Sequence, residues 1–172
     1  LVVAEDQDIE FIHFKLGAIW IPLKAVEDFF KEVFELPATV NYSQNSTRWT
    51  VELPRTGEAQ NATKNRDTYG TEYFDGRQLV EHALNLKLPK ARDKVKDPDT
   101  GSERTVENKD ASKEAQLKIQ EINNDFVSWA KTHEKWAPEL ARIYNEEKNG
   151  HVLRQHATPK IDYYPNASHD IK

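Results

Sequence analysis

One periodic stripe constrains this chain more than any other feature. Ala115, Ile119, Ile122, Phe126 and Trp129 recur at alternating steps of four and three, the spacing that puts side chains on one face of an α-helix. Asp110 lies just upstream and is a residue type that caps helix starts. A long helix is therefore predicted from about residue 110. One stripe of this kind reads as a core-facing surface in preference to a dimer seam, so the rest of the chain must supply its apolar partners.

Those partners come from segments with two different periods. Pro22 precedes Val26, Phe29, Phe30, Val33 and Phe34 at helical spacing, and the run ends before Pro37. Asp75-Gly76 opens another helix carrying Leu79, Val80, Ala83 and Leu84, which runs out near Leu88-Pro89. A last helix spans about Pro138 to Lys148, offers Leu140, Ile143 and Tyr144 inward, and is expected to stop at Asn149-Gly150. Residues 9–16 are rich in β-formers and read as a strand, or the lead into one, broken by Gly17. Residues 38–42 and 48–53 flank the polar Ser43-Gln44-Asn45-Ser46 and read as a hairpin, with Trp49, Val51 and Leu53 on one face. The polar stretch 54–68 reads as a loop. Residues 91–96 and 103–107 flank Asp97-Pro98-Asp99-Thr100-Gly101 and read as a second, charged hairpin.

The predicted fold class is thus α+β, about four helices packed with small antiparallel β-hairpins in a single domain. At 172 residues the chain is long enough for one substantial core. The expected organisation is a leader over 1–8, the domain over 9–150, and a tail or linker over 151–172. A chain that opens on Leu1 and contains no methionine reads as a piece of a longer product.

Composition narrows the function classes. No apolar run approaches the roughly 20 residues needed to cross a bilayer, and Leu1-Val2-Val3-Ala4 turns acidic at once, unlike a signal peptide. With no cysteine there is no disulfide framework, thiolate metal site or cysteine nucleophile. A cytoplasmic location away from membranes is the expectation. The sequons at Asn41, Asn45, Asn61 and Asn166 are taken as chance occurrences in an Asn-rich chain. A net charge of -5 argues against a protein that grips nucleic acid by overall charge, but leaves a local basic face open.

Few residues form a recognisable chemical constellation. The histidines at 13, 82, 133, 151, 156 and 169 are scattered, with no HExxH frame. Asp97, Asp99 and Glu103 suggest a calcium loop only superficially, because the glycine comes one place early and the distal Glu is missing. No serine sits in a Gly-x-Ser-x-Gly elbow, and no Gly-rich phosphate loop is present. Trp20, Trp49, Trp129 and Trp136 could stack on unpaired bases, but most lie within apolar patterns and read as core. The strongest local feature is basic: Lys87, Lys90, Arg92, Lys94 and Lys96, with Arg104 expected to face them across the turn, while Lys109 and Lys113 follow at the next helix entrance; DNA contact is expected at Lys90, Arg92, Lys94, Lys96, Arg104, Lys109 and Lys113. The competing reading is a solvated hairpin whose lysines block edge-to-edge pairing.

Lys15-Leu16-Gly17-Ala18-Ile19-Trp20-Ile21-Pro22, followed by Val26 and Phe29, resembles the "LGATWIP…F" segment of large adenine-N6 DNA methylase/SNF2-type helicase fusions carried by phages and mobile elements. Tyr69-Gly70-Thr71, Leu79-Val80 and Leu84-Asn85-Leu86-Lys87 are similar to that family's "YGT…LNLK" stretch, and Asn108, Ala115-Gln116, Phe126, Trp129 and Tyr144-Asn145 follow in the same order. The resemblance covers about residues 10–148 and departs after Gly150, where the family shows a "DGSHL…PGM"-like run. It implies the region between the methyltransferase and helicase parts. The family's "NPPY"-type motif for methyl transfer and its Walker and DEAH-like motifs for translocation do not occur here, so no catalytic residue carries over and no cofactor is expected in this segment. The expectation is a non-catalytic accessory domain that positions double-stranded DNA, touched weakly through the basic hairpin. A module docking on flanking domains of its own parent chain is the alternative, and a small hydrolase with no sequence signature is the third.

Overall fold

The computed structural model, which describes residues 5–157, contains helices α1 (Leu23–Phe29), α2 (Gly57–Gln60), α3 (Gly76–Leu84), α4 (Lys109–Thr132) and α5 (Trp136–Ala157). Its strands are β1 (Thr39–Ser43), β2 (Arg48–Glu52), β3 (Arg92–Lys96) and β4 (Glu103–Glu107), paired as two separate antiparallel hairpins. The expected α+β class and single domain are what the chain adopts.

The stripe lies on α4. Ala115, Ile122 and Phe126 are fully buried, whereas Ile119 and Trp129, expected in the core, are only half-buried at its margin. Phe126 meets Phe29 of α1 and Phe14 edge-on, with ring centroids 5.2 and 6.0 Å apart, the arrangement aromatic quadrupoles favour. After Phe29 the helix widens into a π turn, Phe30–Phe34, and closes at Glu35. That change of pitch lets Phe29, Phe30 and Phe34 all enter the core. Gly76 is required beside them, since a Cβ there would lie 2.7 Å from the Phe34 ring.

The β1–β2 hairpin packs on α1 and α3, and α4 packs on α1, α3 and α5. Val40 pairs with Val51 and Tyr42 with Trp49, all on one face. The outer edge of β2 is covered by α3 side chains. Asn85 Oδ1 accepts from the Trp49 N–H at 2.8 Å while its Nδ2 donates to the Trp49 carbonyl at 2.9 Å. Glu81 accepts from the Val51 N–H, and Arg77 donates to the Val51 carbonyl. Such an edge is closed to further strand pairing.

Several sequence expectations need correction. Residues 9–16 are not a strand: a 3-10 turn at Ile9–Phe11 leads into irregular backbone with Ile9, Ile12 and Leu16 buried. Among the described residues no strand pairs with this stretch; instead Asn145 of α5 exchanges two hydrogen bonds with Gln7, and Asn123 of α4 accepts from the Leu16 N–H. The stretch 54–68 is not a plain loop. It forms α2, capped by Thr56, and a π turn at Lys64–Thr68 whose buried Asn65 accepts from the Arg77 N–H. Asn108 caps α4, not Asp110. Finally α5 passes through Gly150 to Ala157, so part of the expected tail is helical; its remainder, 158–172, lies outside the described residues.

Candidate nucleic-acid interface

The second hairpin is built as expected, and its exposure is complete on one strand. Every residue of β4 is exposed, and in β3 only Asp93 is half-buried. At about 3.4 Å per residue, each strand reaches some 14 Å. The turn is set by Asp97, whose carboxylate accepts from the Asp99 and Thr100 N–H groups while the Gly101 N–H bonds the Asp97 carbonyl. Gly101 has φ +69, the left-handed region that favours glycine.

A polar network fixes the base. Ala91 donates its N–H to the buried Ser112 Oγ at 2.8 Å and accepts from the Asn108 N–H at 2.8 Å. Ser112 in turn donates to the Asn108 carbonyl. Asn108 Nδ2 reaches Asp93 Oδ2 at 3.0 Å and the Tyr73 hydroxyl at 3.2 Å, and the Tyr73 hydroxyl donates to Asp93. The Asp93 carboxylate holds the Tyr73 phenol above its ordinary range. Asn108 therefore caps α4 and ties the ribbon to it without an intervening linker.

The register then sorts the predicted cations. Arg92 stands opposite Glu107, Lys94 opposite Thr105 and Lys96 opposite Glu103, so Arg92, Lys94 and Lys96 share one face. Arg104 stands opposite Val95, on the other face with Asp93. The expectation that Arg104 faces the lysines is thus incorrect, because side chains alternate and the turn length fixes which ones meet. Lys90 is exposed just before β3, and Lys109 and Lys113 are exposed in the first turns of α4, four residues apart on one helix face. None of these seven cations forms an ion pair within the described residues. The outer face still mixes signs, with three cations among Glu103 and Glu107. The tip is negative: the Asp99 N–H, bonded to Asp97, holds that carboxyl below the usual range and hence ionised. Phosphate would meet the side of the ribbon, not its end.

Other sequence candidates resolve into structure. Trp136 is buried with its indole donating to Asp28. Trp20 packs edge-on against Phe14 and Tyr144, Trp129 lies on Phe29, and Trp49 on Tyr42. His133 accepts from the Lys135 and Trp136 N–H groups, capping α5. No group of three His, Asp or Glu placed to hold a metal is found among the described residues. Sequence reading missed the surface hollows, among them an open one beside Trp129 and His133 and two others. One, of about 650 Å³, is lined by Arg55, Arg66 and Arg77 but also by Glu52, Glu72 and Asp75, so its charges balance. The other, apolar, lies beneath Ile19.

Fold and surface together define a small α+β domain that carries an anchored, solvent-exposed β-ribbon. The chain belongs to the family described as a domain of unknown function, DUF8437, whose sequence model matches residues 15–150. That span includes the ribbon and all seven cations. No curated protein and no solved structure matches the chain. No helix among the described residues is long and apolar enough to cross a membrane.

Proposed function

We propose that this chain is a non-catalytic accessory domain of a larger cytoplasmic DNA-modifying protein, one that resembles the methylase-helicase fusions, and that it guides duplex DNA through weak phosphate contacts of the β3–β4 ribbon. The observation that carries this reading is the ribbon's construction: an uncovered arm, rigidly tied to α4, with Arg92, Lys94 and Lys96 on one face and in no ion pair among the described residues. A two-stranded ribbon fits the major groove, roughly 12 Å wide. The carboxylates Glu103 and Glu107 beside the cations suit a guide that follows the backbone, not a reader of bases. With a net charge of -5 on the chain, neighbouring domains supply most of the affinity.

The test titrates duplex DNA with the chain at several salt concentrations. Each phosphate neutralised contributes about -0.9 to the slope of log K against log salt. Replacing Arg92, Lys94 and Lys96 with Ser is expected to weaken binding and to flatten that slope by up to about 2.7, whereas Arg104→Ser on the other face is expected to change it little. Equal effects of the two variants, or no effect of the triple variant, would remove the ribbon from the DNA path.

A further inference from the structure

We propose that an apolar hollow of about 250 Å³ is a docking site for an acidic segment of a partner protein that inserts one bulky apolar side chain. The site is separate from the ribbon and does not rest on the DNA reading. Three segments build it: the irregular stretch at Leu16–Ile21, the β2 residue Trp49, and the C-terminal end of α3 with Leu84. Val26 of α1 forms part of the lining. An apolar cavity of about 150 Å³ suffices for benzene, so this one holds a leucine, phenylalanine or tryptophan side chain.

Its rim is unusual for a water-facing surface. Ile19 is 94% exposed, and Leu86, whose Cδ2 lies against Gly17 of the lining, is 65% exposed. Leu86 also adopts φ 53, a left-handed conformation that is costly for a branched aliphatic residue and is ordinarily given to Gly or Asn at a helix end. A strained backbone that displays an exposed leucine is the kind of outlier that points to function. The surrounding structure holds it there. Gly17, at φ +93, lies so close to α3 that a Cβ would come within 2.7 Å of the Ala83 carbonyl and 2.8 Å of Leu86 Cδ2. Asn85, next to Leu86, is locked to Trp49 by its two hydrogen bonds.

Charge selects the partner. Lys15 and Lys87 flank the two rim segments in the chain, both are exposed, and neither forms an ion pair among the described residues. The carboxylates on the elements that build the hollow are already engaged. Glu27 accepts from the Val40 N–H and pairs with Lys24, and Asp28 takes Lys24, Lys135 and the Trp136 indole. Glu81 pairs with Arg48 and Arg77, and Glu52 lies on the face of β2 away from Trp49. An apolar anchor bracketed by Asp or Glu therefore matches the hollow and its free cations together.

The probe is a random linear peptide library displayed on phage, selected against the full chain with counter-selection on Ile19→Ser. Enriched peptides are expected to share a Leu, Phe or Trp flanked by carboxylates. In fluorescence anisotropy with such a peptide, Ile19→Ser and Leu86→Gly are each expected to weaken binding at least about tenfold. The pair Lys15→Glu with Lys87→Glu is expected to weaken it and abolish its salt dependence. Leu86→Gly relieves the left-handed strain, so its Tm is expected to hold or rise, and loss of binding in that variant cannot be unfolding. The proposal fails if no peptide is enriched, if enriched peptides lack acidic residues, or if the rim variants leave binding unchanged. It also fails if the chain dimerises through Ile19 in sedimentation, or if oligothymidine binds the same surface more tightly than the peptides.

Discussion

Phe126→Ala is the sharpest test of how this domain is held together. The side chain is fully buried and meets Phe14, Phe29 and Trp129 at centroid distances of 6.0, 5.2 and 6.0 Å. Removing a buried phenylalanine costs about 3–5 kcal/mol. Two of its contacts are edge-to-face, at 88° and 80°, and such pairs add about 0.5–1.5 kcal/mol each beyond area. The cost is therefore placed near the upper end, about 4–5 kcal/mol. In a domain of about 150 residues each kcal/mol moves Tm by about 2–4 °C, so a fall of about 8–20 °C is expected by circular dichroism. Guanidinium titration should show a lower midpoint with an unchanged slope, the mark of altered stability alone. Leu117→Ala on the same helix is 55% exposed and should stay within about 0.5 kcal/mol of the parent. If Phe126→Ala melted within about 2 °C of the parent, Phe126 would not be the junction between α1 and α4.

Asn108→Ala is expected to cost about 1–3 kcal/mol, combining a lost helix cap with lost bonds to Asp93 and Tyr73. Asn108→Asp keeps the cap but sets a carboxylate against Asp93, so hydrogen exchange should quicken in the ribbon while α4 stays protected. Glu32 accepts from the Trp129 indole and from His133, and these bonds hold its carboxyl below its ordinary 4.5. A depressed folded pKa gives stability that is complete above 4.5 and is lost as pH falls through the folded value. Acid melts of Glu32→Gln should accordingly show a shallower decline below that pH than the parent. The chain is expected neither to bind S-adenosylmethionine nor to hydrolyse ATP; saturable S-adenosylmethionine heats in calorimetry would refute this.

Local signals carried the sequence reading where they were self-contained. The long α4 helix, the start of α3 at Asp75-Gly76 and both hairpin turns depend on near neighbours, and each lies where expected. The failures have tertiary causes. Residues 9–16 have β-forming side chains, but their neighbourhood offers helix-borne asparagines instead of a strand. Asn108 and Asp110 are both good caps, and Asn108 wins because it also reaches Asp93 and Tyr73. The side on which Arg104 falls turns on a register that the hydrophobic pattern does not specify when both faces are wet. The apolar hollow is assembled from three segments distant in sequence, so no local pattern announces it.

The anchor at the ribbon's base bears on the choice between a working arm and a passive, solvated hairpin. A two-stranded hairpin standing alone is marginal in water, and an exposed ion pair is worth at most about 1 kcal/mol. Contacts that weak cannot also meet the entropy of ordering a loose arm, at about 1–2 kcal/mol for each residue fixed. For the cations of β3 to contribute to binding, their positions must be set beforehand. The bonds of Ala91 to Ser112 and Asn108, and of Asp93 to Asn108 and Tyr73, do this within the folded chain. The two strands themselves bury no apolar side chain, since Val95 and Val106 are already in water, so burial along the ribbon does not account for such a base. Loosening the base while leaving every charge in place should therefore weaken DNA binding, and Asn108→Ala, which removes the bonds to Asp93 and Tyr73 without adding a charge, offers that separation.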